Sequence, residues 1–144
     1  MVFARADIAN SVTLLEKSIA AERMWLVVHT DQGPYLLCSW YRPPEPGEVQ
    51  TISTLEEEWL KHSSAALETI IVGDLNLHHL GWLRYSSRNS IEGERMRDFC
   101  RDHGFRQLVM EATRGDYKLV LLITDSEDVS CTVVPAIAGH KGVL

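Results

Sequence analysis

The chain has 144 residues, of which 45% are hydrophobic and 24% charged. That is one domain's worth of chain with enough apolar content for a real core, which sets aside disorder. The net charge of −6 excludes a strongly basic nucleic-acid binder, because phosphate binding by counterion release needs clustered Lys and Arg.

Taken in chain order, "MWLVVHT" and "PYLLCSWY" are two apolar runs separated by "DQG". This pattern predicts a hairpin with strands Trp25–Thr30 and Tyr35–Tyr41 and a turn at Asp31-Gln32-Gly33. "RPPEPGE" is a proline-locked loop. "STLEEEWLKH" follows, with Ser53 and Glu56 in capping-box spacing and Leu55 and Trp59 on one face, and predicts an amphipathic helix ending near Ser63. "ETIIVGD" predicts a buried strand over Thr69–Val72, followed by a polar turn to about Arg88. In "NSIEGERMRDFCRDHG", Asn89 and Glu92 fit a second capping box and Gly104 fits the helix C′ position. "FRQLVME", "KLVLLITD" and "CTVVP" predict three further strands. Helices interleaved with buried apolar strands give an α/β layered fold.

The cysteines, Cys38, Cys100 and Cys131, are far apart and form no C-x-x-C, so a zinc ribbon or thioredoxin motif is unsupported. Their odd number without a secretory leader implies an intracellular chain with reduced thiols. No apolar run approaches the roughly 20 residues of a membrane helix.

The chemistry-bearing stretch is "IIVGDLNLHH". On an extended backbone Asp74 and Asn76 point to one face, just past a strand end, where α/β folds bind ligands. One carboxylate beside one amide suits phosphate-ester chemistry; an Asx turn, in which both bond only local backbone, is the competing account. His78 and His79 are adjacent, diverge on regular structure and lack a Cys or Glu at ligand spacing, so they read as the wall of a polar loop near substrate rather than as zinc ligands. Tyr41 ends a strand before a rigid loop and can lend a hydroxyl to phosphate, or be a half-buried aromatic. Thr113 and Arg114 pair a hydroxyl with a cation before a strand, and His140 lies between Gly139 and Lys141 in a loop. Arg84, Arg88, Arg95, Arg97, Arg101 and Arg106 crowd the middle of the chain. Interspersed acids make them a solvated helix face first and a basic patch second.

In order, "YRPP" (Tyr41–Pro44), "GDLNLHHLGW" (Gly73–Trp82), "ATR" (Ala112–Arg114), "LVLLITD" (Leu119–Asp125) and "AGH" (Ala138–His140) resemble the endonuclease/exonuclease/phosphatase superfamily. The branch they resemble is the endonuclease domain of non-LTR (LINE-type) retrotransposons. The resemblance implies part of a two-sheet α/β sandwich with outer helices, lacking the first strands, as a single incomplete domain over residues 1–144. It implies Mg²⁺- or Mn²⁺-dependent hydrolysis of DNA phosphodiester bonds. The implied context is a longer polyprotein with a reverse transcriptase, intracellular and nuclear if functional. Carried over by position, Asp74 orients the attacking water, Asn76 and Tyr41 serve the phosphate, and His140 polarises a phosphate oxygen. Thr113, Arg114, His78 and His79 are placed at the substrate, and Asp74 is the one candidate metal ligand.

Three departures weigh against activity. The family's aspartates fall on Val120 and Gly139 here, and its N-terminal metal-binding Glu has no counterpart, "VFARADIANSV" resembling the strand that follows it. Losing one such group commonly lowers a rate by about 10²–10⁴-fold. The expectation is a catalytically dead copy with no metal necessarily bound. A non-catalytic nucleic-acid or protein binding module using the same cleft is the alternative.

Overall fold

The computed structural model describes residues 6–7, 9–111, 120–135 and 141–143. After a short 3-10 turn at Ala9–Ser11 come strands β1 (Val12–Ser18), β2 (Arg23–Thr30) and β3 (Gly33–Trp40). Helix α1 (Gln50–His62), strand β4 (Glu68–Asp74) and helix α2 (Ile91–His103) follow. Strands β5 (Arg106–Gln107), β6 (Val120–Thr124), β7 (Val133–Pro135) and β8 (Lys141–Val143) complete the described elements. The main sheet has six strands in the order β1-β2-β3-β4-β6-β5, and β7 and β8 form a second, two-stranded sheet. The β3–β4 pair is parallel, whereas its neighbours on both sides are antiparallel. The chain must therefore cross over between β3 and β4, and α1 is that crossover.

Both helices pack on one face of the main sheet. Trp25, Cys38, Ile71 and Ile123 lie in register across β2, β3, β4 and β6, and all are fully buried. Ile52 and Leu55 of α1 and Met96, Phe99 and Cys100 of α2 close over them. The stripe on each helix is the apolar face that its sequence period demands. Burial pushes the Cys100 thiol up to about 12 and the Cys38 thiol up as well, so both behave as small apolar core residues.

A buried charge sits inside this core. The Arg23 side chain is 0% exposed, and its Nε donates to Glu58 Oε2 at 2.8 Å. Its other nitrogens donate to Thr51 O and Thr54 Oγ1, and its plane lies 4.7 Å over the Trp40 ring. Trp25 Nε1 also donates to Glu58 Oε2. Burial tends to raise the Glu58 carboxyl, but the Arg23 and Trp25 hydrogen bonds and the Arg23 charge outweigh it and hold it low.

Several local expectations are corrected. The hairpin strands run longer toward Arg23, and Gly33 (φ 128°) pairs with Thr30, leaving a two-residue loop at Asp31-Gln32. Helix α1 starts at Gln50, ahead of Ser53, whose Oγ sits inside the helix over Val49 O. The acceptor at its N-terminus is Glu48, which takes the Thr51 N–H at 2.8 Å and the Thr51 hydroxyl at 2.6 Å. The cap of α2 is Ser90, accepting from Gly93 N, while Asn89 accepts from Leu80 N instead. Gly104 does close α2, at φ 74°. "FRQLVME" gives only the two-residue β5. Among the described residues the first strand is Val12–Ser18, and much of the "VFARADIANSV" stretch before it lies outside the described residues. Among the described residues no helix is long and apolar enough to cross a membrane.

Two outcomes follow from this packing. Glu58→Gln leaves Arg23 buried without its counter-charge and is expected to lower stability by about 3 kcal/mol near neutral pH, read by urea denaturation. Because the folded Glu58 carboxyl lies below its ordinary 4.5, the gap between wild type and variant is full above that value and closes as pH falls through the lowered one. Gly73→Ala is the second. A Cβ there would lie 1.7 Å from Trp40 O, so strand β3 or β4 must move, and a loss of about 3 kcal/mol or failure to fold is expected.

Candidate active site

The parallel pairing of β3 and β4 continues past the last strand residue. Ser39 pairs with Val72, and beyond it Arg42 N donates to Asp74 O at 2.8 Å. On the other side Tyr41 N donates to Glu22 O at 3.1 Å, extending the Arg23–Trp40 pairing by one step. On β6, Val120 is the register partner of Asp74. Glu22, Tyr41, Asp74 and Val120 therefore form one row across four neighbouring segments at one end of the sheet. Asp74 has the parity of Val72 and Ile70, opposite to core-facing Ile71, so it points to the face without helices. A cleft of about 880 Å³ opens there, with Lys17, Glu22, Ser39, Tyr41 and Asp74 among its walls. Tyr41 is 47% exposed at its edge.

Asn76 lies just beyond, in a left-handed conformation with φ 47°. Its Nδ2 donates to Arg42 O at 2.8 Å. That bond orients the amide and leaves Oδ1 as the acceptor end. Asparagine tolerates this backbone region better than most residues.

The loop after Asn76 is seated by alternating burial: Leu75, Leu77, His79 and Leu83 are inside. His79 is 5% exposed and uses both ring nitrogens. Its Nδ1 accepts from Gly81 N at 3.0 Å, so the proton sits on Nε2, which meets Glu94 Oε2 at 2.5 Å. The Ser86 hydroxyl accepts from His79 N, and Ser90 donates its hydroxyl to His78 O. Trp82 packs on the core and donates from Nε1 to Gly93 O. His79 thus holds the loop to α2. His78 is half-buried, and burial together with the Arg88 charge depresses its pKa.

Of the residues singled out from sequence, Tyr41, Asp74, Asn76 and Val120 come together at the sheet end, and His78 and His79 lie on the adjoining loop. Thr113, Arg114, Gly139 and His140 lie outside the described residues. Sequence reasoning missed Glu22, a carboxylate on the cleft at φ 51°, and Arg42, a buried cation beneath Asp74. Glu22 lies in no motif, and Arg42 fills the unspecified position of "YRPP". A positively charged residue in a proline-rich loop reads as solvated, and only its backbone partners reveal otherwise.

The donor set is oxygen: the Asp74 carboxylate, the Asn76 amide and the Glu22 carboxylate. Hard divalent cations such as Mg²⁺ prefer such donors and bind through one or two carboxylates plus substrate phosphates. In donor type these residues suit a cation of that kind, but among the described residues no group of three or more His, Cys, Asp or Glu is placed to hold one.

A family model described as endonuclease-reverse transcriptase matches residues 35–120, more than half of the chain, and its span holds Tyr41, Asp74, Asn76 and Val120. Among solved structures, the endonuclease domain of TRAS1, a telomere-specific non-LTR retrotransposon, is similar with a TM-score of 0.66 at 14% identity. That similarity covers 92% of this chain and 67% of the other, and it supports the fold. No curated protein matches. With its α/β sheet, its site row and the family match in agreement, the chain belongs to the endonuclease–reverse transcriptase family.

Proposed function

We propose that this chain is a divalent-metal-dependent DNA endonuclease domain of the retrotransposon type in which phosphodiester hydrolysis has been lost. One observation carries the reading: Val120 stands directly across from Asp74 in the sheet. Directly paired residues on neighbouring antiparallel strands have Cβ atoms about 4.5–5.5 Å apart. A carboxylate at position 120 would therefore face the same phosphate as Asp74, and valine removes it while keeping the strand packed.

The remaining roles follow from chemistry. Asp74 accepts the proton of, or orients, the attacking water. Asn76 offers Oδ1 toward the reacting phosphate, held there by its Nδ2 bond to Arg42 O. Tyr41 places its hydroxyl on the cleft edge, in reach of a non-bridging oxygen. His140 polarises a phosphate oxygen, and Thr113, Arg114 and His78 contact the nucleic-acid backbone. His79 positions this loop through Glu94. A bound Mg²⁺ or Mn²⁺ would be held by Asp74 and would neutralise charge on the phosphate. Val120 and Gly139 supply neither the carboxylate that supports the histidine nor the one that supports the metal end. The context we infer is a chain working beside a reverse transcriptase on a DNA target.

The non-catalytic alternative draws on a different observation. Arg84, Tyr85 and Arg88 are exposed on the loop after Asn76, and an aromatic interleaved with cations suits a nucleic-acid strand.

Supercoiled-plasmid nicking in Mg²⁺ tests the proposal. The wild-type chain should nick no faster than Asp74→Ala. Val120→Asp with Gly139→Asp should gain about 10²-fold over wild type, and that gain should vanish when Asp74→Ala is added. Wild-type nicking that Asp74→Ala abolishes would contradict the loss of catalysis. Salt-sensitive DNA binding by an inactive restored variant would favour the binding module.

A further inference from the structure

Arg42 is a buried charge that no motif accounts for. Its side chain is 1% exposed, although it lies in the proline-rich loop after β3. Three consecutive residues of the site turn are each held by it. Its main-chain N–H donates to Asp74 O at 2.8 Å, its Nη1 reaches Leu75 O at 3.5 Å, and its main-chain carbonyl accepts from Asn76 Nδ2 at 2.8 Å. Its Nη2 donates to Glu48 O at 2.5 Å and lies 3.3 Å from Glu48 Oε2. The same Glu48 carboxylate caps α1 through Thr51. Burial tends to raise that carboxyl, but the Thr51 bonds and the Arg42 charge pull it below its usual value.

We propose that Arg42 is the positioning residue of the site: it clamps the Asp74–Asn76 turn to α1 and holds Asn76 in its left-handed conformation with the amide fixed on the Arg42 carbonyl. This rests on the reading that Asp74 and Asn76 face a phosphate. The chemistry explains the choice of residue. A left-handed asparagine stores strain that persists only where its surroundings over-determine it. Guanidinium is a planar fork that can reach Leu75 O and Glu48 together, whereas the point charge of lysine reaches one of them. Glu48 offsets the desolvation of the fork. Without the guanidinium, nothing described ties Leu75 O to α1, and the Arg42 carbonyl that orients Asn76 is free to drift.

The test is the side-chain amide of Asn76, followed by heteronuclear NMR. In wild type its protons should exchange slowly and resonate away from a free asparagine. In Arg42→Gln they should exchange roughly three- to tenfold faster and move toward the free position, because the Arg42 carbonyl that accepts the amide is no longer held in place by the guanidinium and that bond weakens. Thr124→Val, which removes a buried hydrogen bond to Thr69 O at the far end of β4, should leave the Asn76 signal at its wild-type position. Where Arg42→Gln does not fold, Arg42→Lys carries the test and should give an intermediate exchange rate. An Asn76 amide unchanged in either folded Arg42 variant would overturn the proposal and reduce Arg42 to a contributor to stability. Adding Mn²⁺ to wild type reads the cation separately. Broadening at Asn76 supports the function proposed above. Its absence removes that cation and leaves the positioning to stand on the amide.

Discussion

The site depends on how closely two parallel strands can run. Gly73 has no side chain, and the backbone of Trp40 occupies the space where one would be. That approach lets the β3–β4 ladder continue to the bond from Arg42 N to Asp74 O. Much of the sheet end follows from this bond. It sets Tyr41 beside Asp74, whose partner on the next strand, Val120, is fixed by the separate β4–β6 register. It also brings the Arg42 carbonyl to the Asn76 amide. A side chain at position 73 would splay the strands and dissolve the row, with no functional residue changed.

Two kinds of polar residue surround that row, and they have separate fates. The supporting ones are intact. Arg42 and Glu48 anchor the turn, His79 and Glu94 anchor the loop, and Arg23 with Glu58 ties β2 to α1. All but the exposed Glu94 are buried or half-buried, and all are bonded, so losing a buried partner would destabilise the fold itself. The position at which the resemblance expects the carboxylate that supports the histidine, 120, instead holds valine, which suits a strand and leaves the packing undisturbed. Selection on folding alone would produce this pattern: support retained and chemistry dispensable. It also explains how a chain can match its family over residues 35–120 while we read it as unable to hydrolyse phosphodiesters.

Much of this was legible in the sequence, for physical reasons that differ by residue. The alternating apolar runs of β2 and β3 and the short β-branched run of β4 announced a sheet with helices against it. The order of Tyr41, Asp74 and Asn76 announced the site, because strand ends and turns have recognisable residue types. The helix starts were misread. Ser53 and Asn89 fit a capping pattern, yet Glu48 and Ser90 do the capping, since the choice among neighbouring acceptors is made by tertiary contacts with Arg42 and His78. The buried charges were not legible at all. Arg23 and Arg42 look like surface residues in a linear reading, and Glu22 looks like part of a turn. Their roles come from partners 19 to 35 positions away, such as Tyr41, Leu75 and Glu58.

The central claim, that the β3–β4 ladder runs on to Arg42 and Asp74 and so builds the row, is tested most directly by hydrogen exchange at the Arg42 main-chain amide. The account predicts protection comparable to the amides in the middle of β3, released only when the sheet itself opens. Exchange as fast as that of an exposed loop amide would show that the ladder stops at the strand end. Tyr41 would then stand apart from the Asp74–Val120 pair.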